Sequence, residues 1–421
     1  MTIRTTSKMM RAVALVAVAL MATAALAACG SDDGGGDGGD TVDTVKIGTL
    51  FPMTGDLAKT GAQSVNGAEM AVKEINAAGG IKALGGAKLE LDVANTQGKP
   101  EVGMSEAERL IQQDEVPVVI GTSMSSLAIP ISQKTERLKT PFIVTDAVAN
   151  EITERGYKYT FRLMPKAEQF AEVVVRILQD GPTLNPEFPT VKRVATIHED
   201  SDYGVGLAED IVAWIEQSGM EHTVDVSYPY TATDLTTQVN KVKASDPDAV
   251  AVCSYLTDAI VIGQARERLE MLGIPFVDGG GGAQDPNFAK TLGASADRWF
   301  VTTGFLPSAS DQAVELSTKF EQEYGTPMVE NAMWGYQTVY LIAKVLENAG
   351  SVDREAVRQA LTEVKLDRAA GDTVVIAGET IEFDDQGQNK EAALYGAQWI
   401  DGELKAVWPE NLATDQMLPP Q

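Results

Sequence analysis

From Val45 onward, short apolar and β-branched runs alternate with stretches in which apolar residues recur every three or four positions. VKIGTLF, KLELDVA and PVVIG are separated by helical patterns over 61–77 and 101–113. In the first of these, Val65, Ala68, Val72 and Ile75 share one face, and Gly79-Gly80 ends the helix. A second series follows from Val191: VKRVATIH, helix 203–218, HTVDVSY, helix 235–244, DAVAVCSY, helix 259–272 and IPFVDG. Strand and helix in strict alternation predict parallel sheets with both faces covered, so the fold class is α/β, with two doubly wound parallel-sheet lobes. Each lobe has its crevice outside the carboxyl ends of its strands, and two facing crevices make a ligand cleft.

The remaining chain departs from this rhythm. After Trp299-Phe300-Val301, helical patterns at 311–324 and 331–348 precede strand-like stretches at 373–376, 380–383 and 393–400. These helices are more than the second half alone can use. The segment 181–190, with Pro182, Pro186 and Pro189, reads as a surface loop.

The amino-terminal end fixes the compartment. Arg4, Lys8 and Arg11 precede an apolar stretch over 12–25, too short to span a bilayer comfortably, and Leu26-Ala27-Ala28-Cys29 resembles a bacterial lipoprotein cleavage box. Removal of 1–28, lipid on Cys29 as the membrane attachment and a flexible Gly/Asp leash over 29–42 are expected. An ordinary signal peptide that happens to precede a cysteine is the alternative reading. The formal charge of −26 becomes −29 once the signal's three basic residues are removed, which disfavours nucleic acid as a partner. With Cys29 lipidated, Cys253 has no disulfide partner and reads as a small core residue.

The segment KIGTLFPMTGDLAKTGAQSVNGAEMAVKEINAAGGI resembles the opening of type I periplasmic binding proteins of the leucine/isoleucine/valine-binding family. The likeness continues through VVIGTSMSSLAIPIS, NEITERGYKYTFRLMP, VATIHEDSDYGVGLAED and DAVAVCSYLTDAIVIGQARE. It implies three chain crossings between the lobes, with lobe one at 43–163 and 305–376, lobe two at 164–304 and 377–412, and a tail at 413–421. It also implies an extracytoplasmic, monomeric, lipid-anchored binding protein that captures a small carboxylate-bearing solute. By family default that solute is a branched-chain or related amino acid, delivered to the permease and ATPase subunits of an ABC importer. A ligand sensor without transport, or a receptor for an aromatic acid or amide, is the alternative.

Site residues follow position by position. Thr122 to Ser126 lead from a buried strand into a helix, whose start suits a ligand carboxylate. Ser125 matches the family's carboxylate-binding serine, with Ser126 beside it; chemistry alone allows equally that Ser125 merely caps its helix. At Asp146-Ala147-Val148 the family offers a backbone carbonyl and a threonine hydroxyl, but Val148 cannot donate and Asp146 adds a charge. Tyr203 and Tyr255 match aromatic positions that close over the ligand, although either could be a core tyrosine. Relatives that bind α-amino acids carry an acid near Gly280, where this chain has Asp278-Gly279-Gly280-Gly281-Gly282. Either Asp146 or Asp278 has taken over that role, or the ligand lacks an α-amine, because a buried unpaired ammonium is costly. Thr60 stands where relatives often place an aromatic. Only His198 and His222 occur, and no nucleophile elbow, phosphate-loop fingerprint or metal-ligand spacing is present. No enzyme activity, cofactor or metal is therefore expected.

Overall fold

The first sheet is wholly parallel, with β1 (Thr44–Phe51), β2 (Lys88–Asn95), β3 (Val119–Gly121), β4 (Phe142–Val144) and β5 (Thr160–Arg162) in the order β2-β1-β3-β4-β5. The structure, a computed structural model, describes residues 42–421, which form one compact unit; the expected signal, Cys29 and leash lie outside the described residues. Around the sheet run α1 (Ala58–Ala77), α2 (Pro100–Gln112), α3 (Ser125–Arg137) and the short α4 (Glu151–Glu154). Successive strand residues serve opposite faces, as period-two side chains must. Ile120 and Ile143 join the core that includes α1, while Val119, Phe142 and Val144 join the core beneath α2 and α3.

The second sheet has seven strands: β6 (Arg193–Glu199), β7 (Glu221–Tyr228), β8 (Ala249–Cys253), β9 (Phe276–Asp278), β10 (Phe300–Thr303), β13 (Tyr395–Ile400) and β14 (Glu403–Trp408). Their order is β14-β13-β10-β9-β8-β6-β7, and β13 and β14 run antiparallel to their neighbours. Helices α5 (Ala167–Leu184) and α6 (Asp202–Gln217) contribute to the core on one face, and α7 (Thr236–Ala244), α8 (Leu256–Arg268) and α9 (Pro286–Leu292) to the core on the other.

The late helices α10 (Asp311–Tyr324), α11 (Glu330–Ala349) and α12 (Arg354–Glu363) return to the first sheet. Helix α11 lies directly on α1, and glycines permit the approach. A Cβ on Gly67 would stand 1.8 Å from the Ala332 carbonyl oxygen, and one on Gly335 2.1 Å from that of Ser64. This contact fixes where the first turn of α11 meets the cleft. Arg354 ties α12 to the same lobe by donating to the Ile111 and Val116 carbonyls.

Two local expectations are corrected. Residues 181–184 belong to α5, whose interior holds Pro182, so the loop begins only at Asn185. Residues 373–376 are not a strand; Val374 to Ile376 are buried in irregular backbone, and the Val375 N–H donates to Gln337 Oε1 at 2.8 Å. The extended piece in that region is instead β11 (Lys365–Asp367), paired with β12 (Thr380–Glu382) across the proposed lobe boundary at 376/377. Among the described residues no helix is long and apolar enough to cross a membrane, and no cluster of His, Cys, Asp and Glu is placed to hold a metal. Cys253 is buried and free.

Candidate functional site

A cavity of about 80 Å³ lies between the lobes, walled by segments distant in sequence. From the first lobe come Leu57, Thr60, Ser123, Ser125, Asp146 and Ala147-Val148, together with Val329 and Asn331 at the start of α11. From the second come Tyr203, Tyr255-Leu256, the Gly280–Gly282 loop, Gln284 and Asp285. The ion pair of Lys59 with Asp285 at 3.0 Å ties α1 to the cap of α9, so the described conformation has its lobes drawn together.

Ser125 opens α3, and that helix has no side-chain cap. Capping is thus not the role of Ser125; its Oγ accepts from the Ala149 N–H at 3.2 Å and holds the 146–149 loop against the helix start. The hydroxyl hydrogen stays available to a ligand. The Ser123 hydroxyl is buried without a partner, and the first N–H groups of a helix lack intrahelical acceptors. Together they form an acceptor-seeking pole suited to a carboxylate. Ser126 does not line the cavity.

Asp146 supplies the opposite pole. Its carboxylate accepts from Thr145 Oγ1 (2.6 Å) and Asn331 Nδ2 (2.8 Å), with Ser64 Oγ at 3.5 Å. No basic side chain neutralises it, and burial, abetted by the nearby Glu330 charge, raises its pKa from 3.8 to about 7. Asp278 differs. It is fully buried beneath the glycine loop and lines no part of the cavity. Its Oδ2 accepts from Ser254 Oγ at 2.6 Å, while Oδ1 makes no hydrogen bond, the Gly281 and Ala283 amides nearby falling outside bonding geometry. Burial raises its pKa to about 7 as well. Of the two candidate acids, only Asp146 faces the space a solute would fill.

The glycine loop cannot carry a replacement acid. Gly280 has φ +88°, and a Cβ there would stand 2.3 Å from the Phe170 ring. A Cβ on Gly281 would strike the Ser254 carbonyl oxygen at 1.8 Å. Tyr203, in the first turn of α6, and Tyr255, just before α8, meet at 5.2 Å between ring centroids with their planes tilted by 44°. Tyr203 Oη makes a long contact of 3.5 Å to the Ser254 carbonyl. Tyr255 Oη is buried and makes no hydrogen bond, with the Ser201 hydroxyl, which donates to Glu199 at 2.6 Å, beside it.

The structure therefore brings Ser125, Asp146, Ala147, Val148, Tyr203, Tyr255 and Gly280 to one cavity, and leaves Ser126 and Asp278 outside its wall. Sequence reasoning missed Gln284, Val329 and Asn331 as wall residues, and held Ser123 only as part of the helix start at 122–126. The two histidines stand away from the cavity, where His198 Nε2 lies 3.3 Å from Asp225.

The periplasmic binding protein family profile matches residues 44–403. The Leu/Ile/Val-binding protein homolog 7 of Brucella suis biovar 1 (strain 1330) is 32% identical over 393 residues, covering 90% of this chain and 94% of that protein. Among solved structures, the branched-chain amino acid substrate-binding protein LivJ of Streptococcus pneumoniae, in complex with isoleucine, superposes with a TM-score of 0.73 at 24% identity, covering 86% of this chain and 98% of that one. A solute-binding protein of Rhodopseudomonas palustris BisB5, in complex with 3,4-dihydroxybenzoic acid, does so with a TM-score of 0.74 at 22% identity, covering 86% and 95%. The chain belongs to the type I periplasmic binding proteins of the leucine/isoleucine/valine-binding family, the solute-binding proteins of ABC transporters.

Proposed function

We propose that this protein captures an amino acid outside the cytoplasm and delivers it to an ABC importer, tethered by lipid on Cys29 and without catalysing any reaction on its solute. The observation that carries the reading is the pairing of two complementary poles in one cavity: the unpartnered Ser123 hydroxyl and the undonated hydroxyl hydrogen of Ser125 at the start of α3, and the Asp146 carboxylate, which has no basic partner. A zwitterion satisfies both at once, whereas an amine-free acid leaves a buried charge without a counter-ion. One charge-assisted contact at each pole, with burial of the solute's apolar atoms, reaches the roughly 8 kcal/mol of a micromolar complex. Tyr203, Tyr255 and the glycine loop supply the second lobe's share, so occupancy favours the closed form.

The test is calorimetric titration of the soluble chain from residue 30 with matched pairs that differ only at Cα: alanine against pyruvate, and leucine against its 2-oxo acid. The reading expects the amine-bearing member of each pair to bind at least tenfold more tightly. Equal or tighter binding of the oxo acids, or of aromatic acids, overturns it and makes this a receptor for amine-free acids.

A further inference from the structure

The cleft cavity shares part of its wall with a second and larger space. That neighbour has a volume of about 510 Å³ and sets the apolar Phe305, Leu306, Met328, Trp399 and Leu404 beside the charged Glu403, Lys405 and Asp415. Only Gln284 and Val329 line both cavities, each half-buried. The cleft itself is small, since its 80 Å³ is about half of the roughly 150 Å³ apolar cavity that accommodates a benzene ring. A solute's polar head fits, but a longer chain attached to it needs another exit.

Three of the cleft's walls are unyielding. The Gly280–Gly282 side is backbone packed on Phe170 and on Ser254 to Leu256. The Asp146 side is held by Thr145 and Asn331. The α3 side is tied to Ala149 through Ser125. Leu57 and Thr60 wall the cleft at the start of α1, while toward the second space it is closed only by the Gln284 and Val329 side chains. Glu330 borders that space, but its carboxylate is turned to the Gly304 N–H (2.7 Å) and the Trp334 indole N–H (3.1 Å).

We propose that the second cavity is a subsite for the aliphatic chain of the solute, which passes between Gln284 and Val329 while its amino-acid head stays in the cleft. The solute class is accordingly α-amino acids with extended, unbranched apolar side chains. This inference rests on the amino-acid reading of the cleft.

The experiment is a calorimetric series over alanine, 2-aminobutyrate, norvaline, norleucine and 2-aminooctanoate, on wild type and on Leu404→Trp and Ser308→Trp. Both substituted positions line the second cavity and neither lines the cleft. In wild type each added methylene should tighten binding by about fourfold, the equivalent of burying one CH₂. Either tryptophan should flatten the slope for the longer members, with alanine affinity retained as the sign that cleft and fold are intact. Binding of alanine with affinity flat or falling along the series overturns the subsite while leaving the amino-acid reading standing. No binding by any member while oxo acids bind removes the reading beneath it. A slope unchanged in both tryptophan variants places the chain elsewhere and also overturns the subsite.

Discussion

Replacing Asp146 by asparagine should stabilise the empty protein at alkaline pH and destabilise it at acid pH, because this carboxylate costs the fold most when it is ionised and unpaired. Its pKa rises from 3.8 to about 7 on folding, chiefly through burial. Between those values the folded chain retains a proton that the unfolded chain has released. Stability therefore falls as pH rises through that window and levels off above about 7. The difference corresponds to roughly 4 kcal/mol once the group is fully charged, an upper figure. The substituted amide keeps one acceptor oxygen for either Asn331 or Thr145, which now donate at 2.8 and 2.6 Å, and turns an NH₂ toward the other. Losing that one hydrogen bond costs about 1 kcal/mol at any pH. The variant should thus gain up to about 3 kcal/mol at pH 8.5, gain less than about 1 kcal/mol near pH 5, where only part of the window has been crossed, and lose about 1 kcal/mol below about pH 4.

Asp278 and Asp258, raised to about 7 and about 8 by burial, titrate in both proteins and cancel in the difference. The measurement is paired denaturant melts of ligand-stripped wild type and Asp146→Asn at pH 5, 7 and 8.5. A stability difference that does not change sign or size with pH would falsify the assignment of Asp146 as an unpaired, half-buried acid. The same charge couples capture to protons. A solute ammonium needs the ionised carboxylate, so wild-type affinity should fall about tenfold per pH unit below 7 while the variant's stays level. Glu330, the nearby acid that adds to the raised value, is itself raised by burial, and its loss of charge would ease ionisation of Asp146 rather than hinder it.

Three further outcomes follow from single contacts. Ser125→Ala should lower stability by about 1 kcal/mol through the orphaned Ala149 N–H, and weaken any carboxylate solute by about 10- to 100-fold; calorimetry showing unchanged affinity would take Ser125 out of the site. Tyr255→Phe removes a hydroxyl that has no partner in the fold, so its melting temperature should match wild type while affinity falls several-fold; unaltered affinity would limit Tyr255 to its ring. Gly280→Glu, which adds the acid that the family resemblance implies near this position, should destabilise the protein by more than about 2 kcal/mol and improve no ligand, since its Cβ meets Phe170 at a positive φ; a stable variant with tighter amine binding would show that the loop yields.

The fold was legible because its signal is local: the strand runs and the helical spacing of Val65, Ala68, Val72 and Ile75 each fall within a single element. What stayed illegible was whatever depends on distant backbones meeting. Asn331, Val329 and Gln284 carry no motif, and they reach the cleft only because Gly67 and Gly335 let α11 settle on α1 and because the glycine loop folds against Ser254. Asp278 looked as eligible as Asp146 in sequence, and only burial beneath that loop separates them. Pro182 read as a loop residue, yet it lies inside a helix whose apolar face packs from Phe170 to Leu178.

The placement of charge has a consequence for the order of events. The start of α3 and the Asp146 carboxylate both belong to the first lobe, and the second lobe's contribution to the cavity is aromatic rings, glycine backbone, Gln284 and an aspartate already paired with Lys59. Both poles of a zwitterion can therefore be engaged on the open first lobe alone, before any closure. Closure then adds the tyrosines, excludes water from the ion contacts and forms the Lys59–Asp285 pair, an exposed bridge worth no more than about 1 kcal/mol. The bridge is too weak to hold the empty lobes shut against the charge cost at Asp146. On the amino-acid reading, a solute that neutralises that carboxylate makes the closed form the stable one.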